Sequence, residues 1–284
     1  MQAKPILRET IESIRHILGP DLDDLTVDRA VIGLFFTGAK LSNGIAGACA
    51  TPIKTIPEAV CCPSSAMVMP FPGKLRGRAA FDLAMEALGE NGIRRAVGIA
   101  AMNALADTCW QRRPHQETEL RLGVDAFDAT EIHPGDKVVV VGAFVPFLGE
   151  LKRRRQPFLV LEQDPATLKP DELPFFRPAE QAVEIVPEAD VLLITGTTLI
   201  NDTLEDLLSL ANPAARVTMV GPTVSMLPDA FLRRGADVLG TVRITAPEEF
   251  LDILAEGGSG YHFLGRSAQK LVLVRKQKAH AKVA

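Results

Sequence analysis

The sequence predicts an α/β protein: a Rossmann-like, doubly wound, mainly parallel sheet in its C-terminal part, preceded by an α+β part. Three observations carry this reading. From about residue 121, short apolar runs alternate with amphipathic segments in the rhythm of strand–helix–strand units. One of these runs, Lys137-Val-Val-Val-Val-Gly142, has no polar face, as a strand covered on both sides of a parallel sheet requires. Residues 1–120 instead give a few strands followed by helices, which is α+β grammar. The chain therefore divides into 1–120 and 121–284, and 284 residues suffice for two cores.

In the first part, Ile6, Leu7, Ile11, Ile14 and Leu18 recur at helical spacing, and Gly19-Pro20 ends that helix. Leu25 to Thr37 reads as a strand. Asn43-Gly44 then predicts a two-residue hairpin between Phe35–Leu41 and Ile45–Thr51. Residues 51–75 are rich in Pro, Ser and Gly and read as a long loop, followed by helices over 76–88 and 93–107. In the second part, strands are expected at 137–142, 158–162, 191–195, 216–220 and 238–242, with Leu271–Val274 as an edge strand. Helices are expected near 146–154, 202–211, 228–234 and 247–256, and the tail from Lys276 is expected to fray.

Composition narrows the function classes. A formal charge of −4 argues against a nucleic-acid partner held by general phosphate attraction. The run Lys152-Arg153-Arg154-Arg155 reads as a solvated helix end. No apolar run reaches the roughly 18–20 residues of a membrane span, and the N-terminus lacks an apolar signal segment, so a cytoplasmic location and no membrane partner are expected. The four cysteines include vicinal Cys61-Cys62, which lacks zinc-type spacing. Free thiols are the first reading, and soft-metal ligation by Cys61 and Cys62 is the alternative. The five histidines show no ligand spacing, and no general base can be assigned, so catalytic residues stay unknown.

Ligands of an open parallel sheet bind at the carboxyl ends of its strands. Three such ends carry unusual loops: Gly142-Ala-Phe-Val-Pro146, Thr195-Gly-Thr-Thr-Leu-Ile-Asn-Asp-Thr203 and Gly221-Pro-Thr-Val-Ser225. Each has a glycine where the strand stops, and Thr197, Thr198, Thr223, Ser225 and Asn201 supply adaptable hydrogen bonds. The plainer alternative is tight turns with caps, including a capping box from Thr203 to Asp206. Glu162 ends the strand after Gly142, 20 positions on, where an acid would accept ribose hydroxyls of a nucleotide or S-adenosylmethionine. Gly142 to Gly149 is nevertheless not GxGxxG, because Pro146 takes the close-approach position. Asn103, a polar residue in the apolar run Ala100–Leu105, reads first as a structural amide.

These pieces together resemble the putative heavy-metal chelation domain family. The resemblance rests on Thr195-Gly196-Thr197-Thr198 with Asn201, on Gly221-Pro222-Thr223, and on Gly142, Phe144 and Pro146. Upstream, Gly33–Thr37, Gly44–Thr51 and Met102-Asn-Ala-Leu105 resemble its companion domain, which is similar to the N-terminal domain of enolase. The resemblance implies an enolase-N-terminal-like cap on a Rossmann-like domain, with the ligand site between them. A metal ion is the cofactor it implies. Asp202, where the family favours a small residue, would oppose an anion and favour a cation.

Three functions from different classes follow, the last of them a non-catalytic partner protein of a biosynthetic complex. The first is binding of a metal ion, metal chelate or small anionic ligand in the cleft between the two parts. The second is a nucleotide- or S-adenosylmethionine-dependent enzyme with Glu162 on the ribose. Base rate favours a homodimer.

Overall fold

A computed structural model describes residues 4–55, 69, 71–113 and 117–276. Helix α1, Pro5–Leu18, opens with proline at its first position and buries Ile6, Leu7, Ile11, Ile14 and Leu18, the predicted stripe. Strands β1 (Val27–Ile32), β2 (Phe36–Leu41) and β3 (Ala46–Ala50) form an antiparallel meander. The Asn43-Gly44 hairpin is present, with Asn43 Oδ1 accepting from the Ile45 amide and Gly44 at φ 85°. The single strand expected over 25–37 is instead two, because the Gly33 amide donates to the Phe36 carbonyl and turns the chain.

Helix α2, Ala80–Met85, is shorter than expected and tightens into a 3-10 turn, Glu86–Leu88. Helix α3, Gly92–Arg112, is longer than expected, and the Asn91 side chain caps it at the amides of Ile93 and Arg94. It is buried on nearly every side. At Gly47 of β3 a Cβ would fall 2.3 Å from the Ala100 carbonyl and 2.4 Å from the Ala104 amide, so sheet and helix meet backbone to backbone.

The second part is an eight-stranded sheet. Its strands are β4 (Thr118–Leu122), β5 (Val138–Val141), β6 (Phe158–Glu162), β7 (Phe176–Pro178), β8 (Val191–Thr195), β9 (Arg216–Val220), β10 (Ala236–Ile244) and β11 (Ala268–Arg275). The order is β4-β11-β10-β9-β8-β5-β6-β7, parallel from β10 to β7. β11 runs antiparallel between β10 and β4, so it is an interior strand and not the expected edge. Helices α4 (Ala126–Ala129), α5 (Val145–Arg153), α6 (Ala182–Ile185), α7 (Leu204–Leu210), α8 (Asp229–Arg233), α9 (Pro247–Ala255) and α10 (Gly260–Phe263) fill the connections. The basic run closes α5 in ion pairs, with Lys152 on Asp171 and Glu172 and with Arg153 and Arg154 on Glu150. Among the described residues no helix is long and apolar enough to cross a membrane.

Alternating residues of each strand feed two cores. Val138, Val140 and Val160 pack with Phe147, Leu148 and Leu151 of α5. Val139, Leu192, Ile194, Met219 and Leu239 join one cluster with Ile6, Ile14, Ile99 and Met102. The first 113 residues thus supply much of the covering for one face of the sheet.

Candidate functional site

Relative to β5, the chain moves outward through β6 to β7, then returns to lay β8 against the other flank of β5. Such a reversal splays the two crossovers and opens a crevice at the strand tips. Gly142 sits there at φ 94°, and a Cβ on it would lie 2.6 Å from Thr195 Cγ2, so only glycine fits. The cavity has a volume of about 360 Å³ and is lined by Gly142, Glu162, Glu180, Thr195, Thr197 and Asn201, among others. Asp206 of α7 and the apolar Leu161, Val183 and Leu207 complete its walls.

The Thr-rich loop is organised locally. The Thr195 hydroxyl oxygen accepts from the Thr197 hydroxyl at 3.2 Å and from the Thr197 amide at 3.5 Å. Buried Thr198 donates to the Thr195 carbonyl at 2.7 Å. The capping box expected from Thr203 does not form, because the Thr203 hydroxyl donates to Asn201 Oδ1 at 2.8 Å. This leaves Asn201 exposed at the rim with its carbonyl oriented.

Asp202 does not serve the crevice as a cation ligand. It adopts φ 60°, and its carboxylate lies 2.8 Å from the Arg95 guanidinium and 3.5 Å from Lys4 Nζ. Arg95, only 2% exposed, also donates to the carbonyls of Ile200 and Gly89. The negative charge is compensated from below, and the loop is pinned to α3 and to the start of α1. Glu162 is likewise engaged: Oε2 accepts from the Ala143 amide at 2.9 Å, and Oε1 accepts from Gln163 at 2.8 Å and Asp164 at 3.2 Å. It clasps the Gly142 turn while lining the crevice.

The third loop faces elsewhere. The Thr223 hydroxyl, 1% exposed, accepts from the Ala50 amide at 3.0 Å. Asn103 Nδ2 donates to the carbonyls of Ala48, Pro222 and Thr223, the structural role expected of it. Gly196 packs against Thr223, and neither lines the crevice. Phe144, Pro146, Gly221 and Pro222 border a second cavity, of about 630 Å³. Of the eleven predicted ligand-binding residues, Gly142, Thr195, Thr197, Thr198 and Asn201 surround the crevice, four border the second cavity, and Gly196 and Thr223 line neither. Between the two parts lie a void of about 10 Å³, lined by Asn103, Asp107, Ser225 and Arg243 among others, and a cavity of about 440 Å³, lined by Glu9, His16, Arg113, Leu227 and Arg233 among others. Among the described residues, those lining the crevice all belong to the second part.

Sequence reasoning missed Glu180 and Asp206 in the crevice and Arg95 beneath it. The first two follow short or irregular segments, and an arginine inside an apolar helix gives no sign of its distant partner. Among the described residues no group of three or more His, Cys, Asp or Glu gathers as metal ligands. Burial pushes the thiols of Cys49 and Cys109 up to about 12, which leaves them protonated and poor ligands. Cys61, Cys62, His115, His280 and the tail beyond Lys276 lie outside the described residues.

A mostly parallel sheet in Rossmann order, flanked by helices, defines a Rossmann-like α/β protein. The chain belongs to the family described as putative heavy-metal chelation, DUF364, whose model matches residues 125–273. A second model with the same description, DUF4213, matches residues 15–106. An uncharacterised protein of Methanocaldococcus jannaschii is 29% identical over 178 residues, covering 62% of this chain and 64% of that protein. The chain thus spans less than two thirds of that relative. Two solved structures share the fold, both of DUF364 proteins of unknown function. The Pyrococcus horikoshii protein gives a TM-score of 0.73 at 18% identity, over 94% of this chain and 98% of that one. The Desulfitobacterium hafniense protein gives 0.69 at 22%, over 95% and 99%.

Proposed function

We propose that the protein binds a small organic ligand in the crevice between the β5 and β8 tips, and that it handles metal in chelated form. The supporting observation is the convergence of Gly142, Thr195, Thr197 and Asn201 at the reversal of strand order, around about 360 Å³. Hydroxyls and an amide recognise an organic molecule through directional hydrogen bonds, and they are poor ligands for a bare soft metal ion. Glu162, Glu180 and Asp206 line the crevice without a Lys, Arg or His among its described lining residues, which favours a neutral or cationic ligand over a free anion. The family description agrees with a chelate whose metal is held by its own organic donors. In this reading residues 1–120 support the ligand loop from beneath.

The test is the melting temperature of the metal-free, reduced chain with Co²⁺, Ni²⁺ and Zn²⁺, each alone and as its neutral histidine complex. A complex present at about 100 times its dissociation constant adds roughly 2.7 kcal/mol of stability. That shift should disappear in Asn201→Ala. Complexes that leave the protein unaltered, or a shift that survives in Asn201→Ala, would remove the crevice from consideration. Bare ions acting as strongly as the complexes would redirect attention to Cys61-Cys62.

One observation favours a second reading. Gly142 and Glu162 stand at the tips of adjacent strands in Rossmann order, as an adenosine-containing ligand requires. S-adenosylmethionine, a sulfonium cation, suits the acidic lining. It should stabilise the wild type and bind at least tenfold more weakly to Glu162→Gln; the absence of any shift would discard this alternative.

A further inference from the structure

The cavity of about 630 Å³ beside the crevice differs from it in chemistry. It lies at the tips of β9 and β10, across the Gly142–Phe144 turn from the crevice. Two aromatic pairs line it: Phe144 with Phe147, centroids 4.7 Å apart, and Phe36 with Phe263, 5.2 Å apart, both edge to face. Among the described residues its only charged lining residues are Asp125 and Lys270, which pair with each other and so compensate one another's charge. Gly221, at φ 124°, borders the cavity, and a Cβ there would stand in ordinary contact, 3.9 Å, with the Gly196 amide.

The mouth is apolar as well. Val145 is 38% exposed, Leu264 37%, and Tyr261, the chain's single tyrosine, 83%. Such a lining recognises π-surfaces by stacking and edge contacts, and it penalises a charged guest by desolvation without compensation. The volume falls in the range of small-molecule sites, about 300–1,000 Å³. We propose that this cavity is a second ligand site, for a flat, uncharged, fused-ring aromatic molecule. Phe36 of β2 brings the N-terminal part into this site.

The probe is 1-aminoanthracene, whose emission rises in apolar surroundings, titrated into the full chain. The expected result is saturable, one-to-one binding that is at least tenfold weaker in Val145→Asp and unchanged in Asn201→Ala. Val145 is the first residue of α5, where aspartate favours the helix, so the fold should tolerate the change. Should Val145→Asp nevertheless melt early, Tyr261→Asp at the exposed mouth is expected to give the same tenfold loss. Cationic 9-aminoacridine is expected to bind at least tenfold more weakly than the probe, and equal binding would refute the requirement for an uncharged guest. The proposal is overturned by the absence of saturable binding, or by full affinity in a folded Val145→Asp. Equal losses in Val145→Asp and Asn201→Ala would also overturn it, by placing the probe in the crevice. An unchanged Asn201→Ala here says nothing against the crevice reading, which stands on its own titration.

Discussion

Arg95 is a charged side chain, 2% exposed, whose partners are the Asp202 carboxylate and the carbonyls of Ile200 and Gly89. Removing it strands the partly buried Asp202 charge and releases two backbone acceptors. Arg95→Met is therefore expected to cost about 3 kcal/mol in urea unfolding. Pairing it with Asp202→Asn, which tolerates φ 60° and drops the charge, should recover part of that loss; strict additivity would show that the two residues are not coupled. The site was partly legible at this scale. Gly142 and Thr195 announce themselves because a glycine between an apolar strand and a polar helix start has few other uses. The direction of Asp202 was not legible, because a left-handed residue turns its side chain toward a partner far away in sequence.

At the scale of elements, long apolar runs were read to within a residue or two, as at β6, β8 and β9, where both faces are buried. β4 and β7 were missed for opposite reasons. Thr118–Leu122 alternates polar and apolar but sits in what reads as a connecting segment, and Phe176–Pro178 is three residues ending in an edge-type proline. Which strand neighbours which follows from crossovers that no local pattern records. A junction between elements also sets a pH response. Hydrogen bonds and charge from Arg234, with Arg233, hold the Glu9 carboxyl down at about 2, tying α1 to α8. A depressed carboxyl contributes stability above its unfolded value of about 4.3 and loses it as pH falls from there toward 2. The melting temperature of the wild type should accordingly drop over that interval, and Glu9→Gln should flatten the drop; an identical slope in the variant would assign the effect to other carboxylates.

For the whole molecule, the continuous cluster from Ile6 and Met102 to Met219 and Leu239 means that neither part is covered without the other. The two parts pack together through Gly47, Asn103 and Thr223. Calorimetry is expected to show one cooperative transition with equal calorimetric and van't Hoff enthalpies, and two resolved transitions would contradict the shared core. The shared core also bears on heredity. Recombination can shuffle domains that carry their own interiors, whereas separating these two would expose a sheet face and a bare helix at once. The sequence features matched at residues 15–106 and 125–273 are thus expected to descend together in a lineage, as one unit of inheritance.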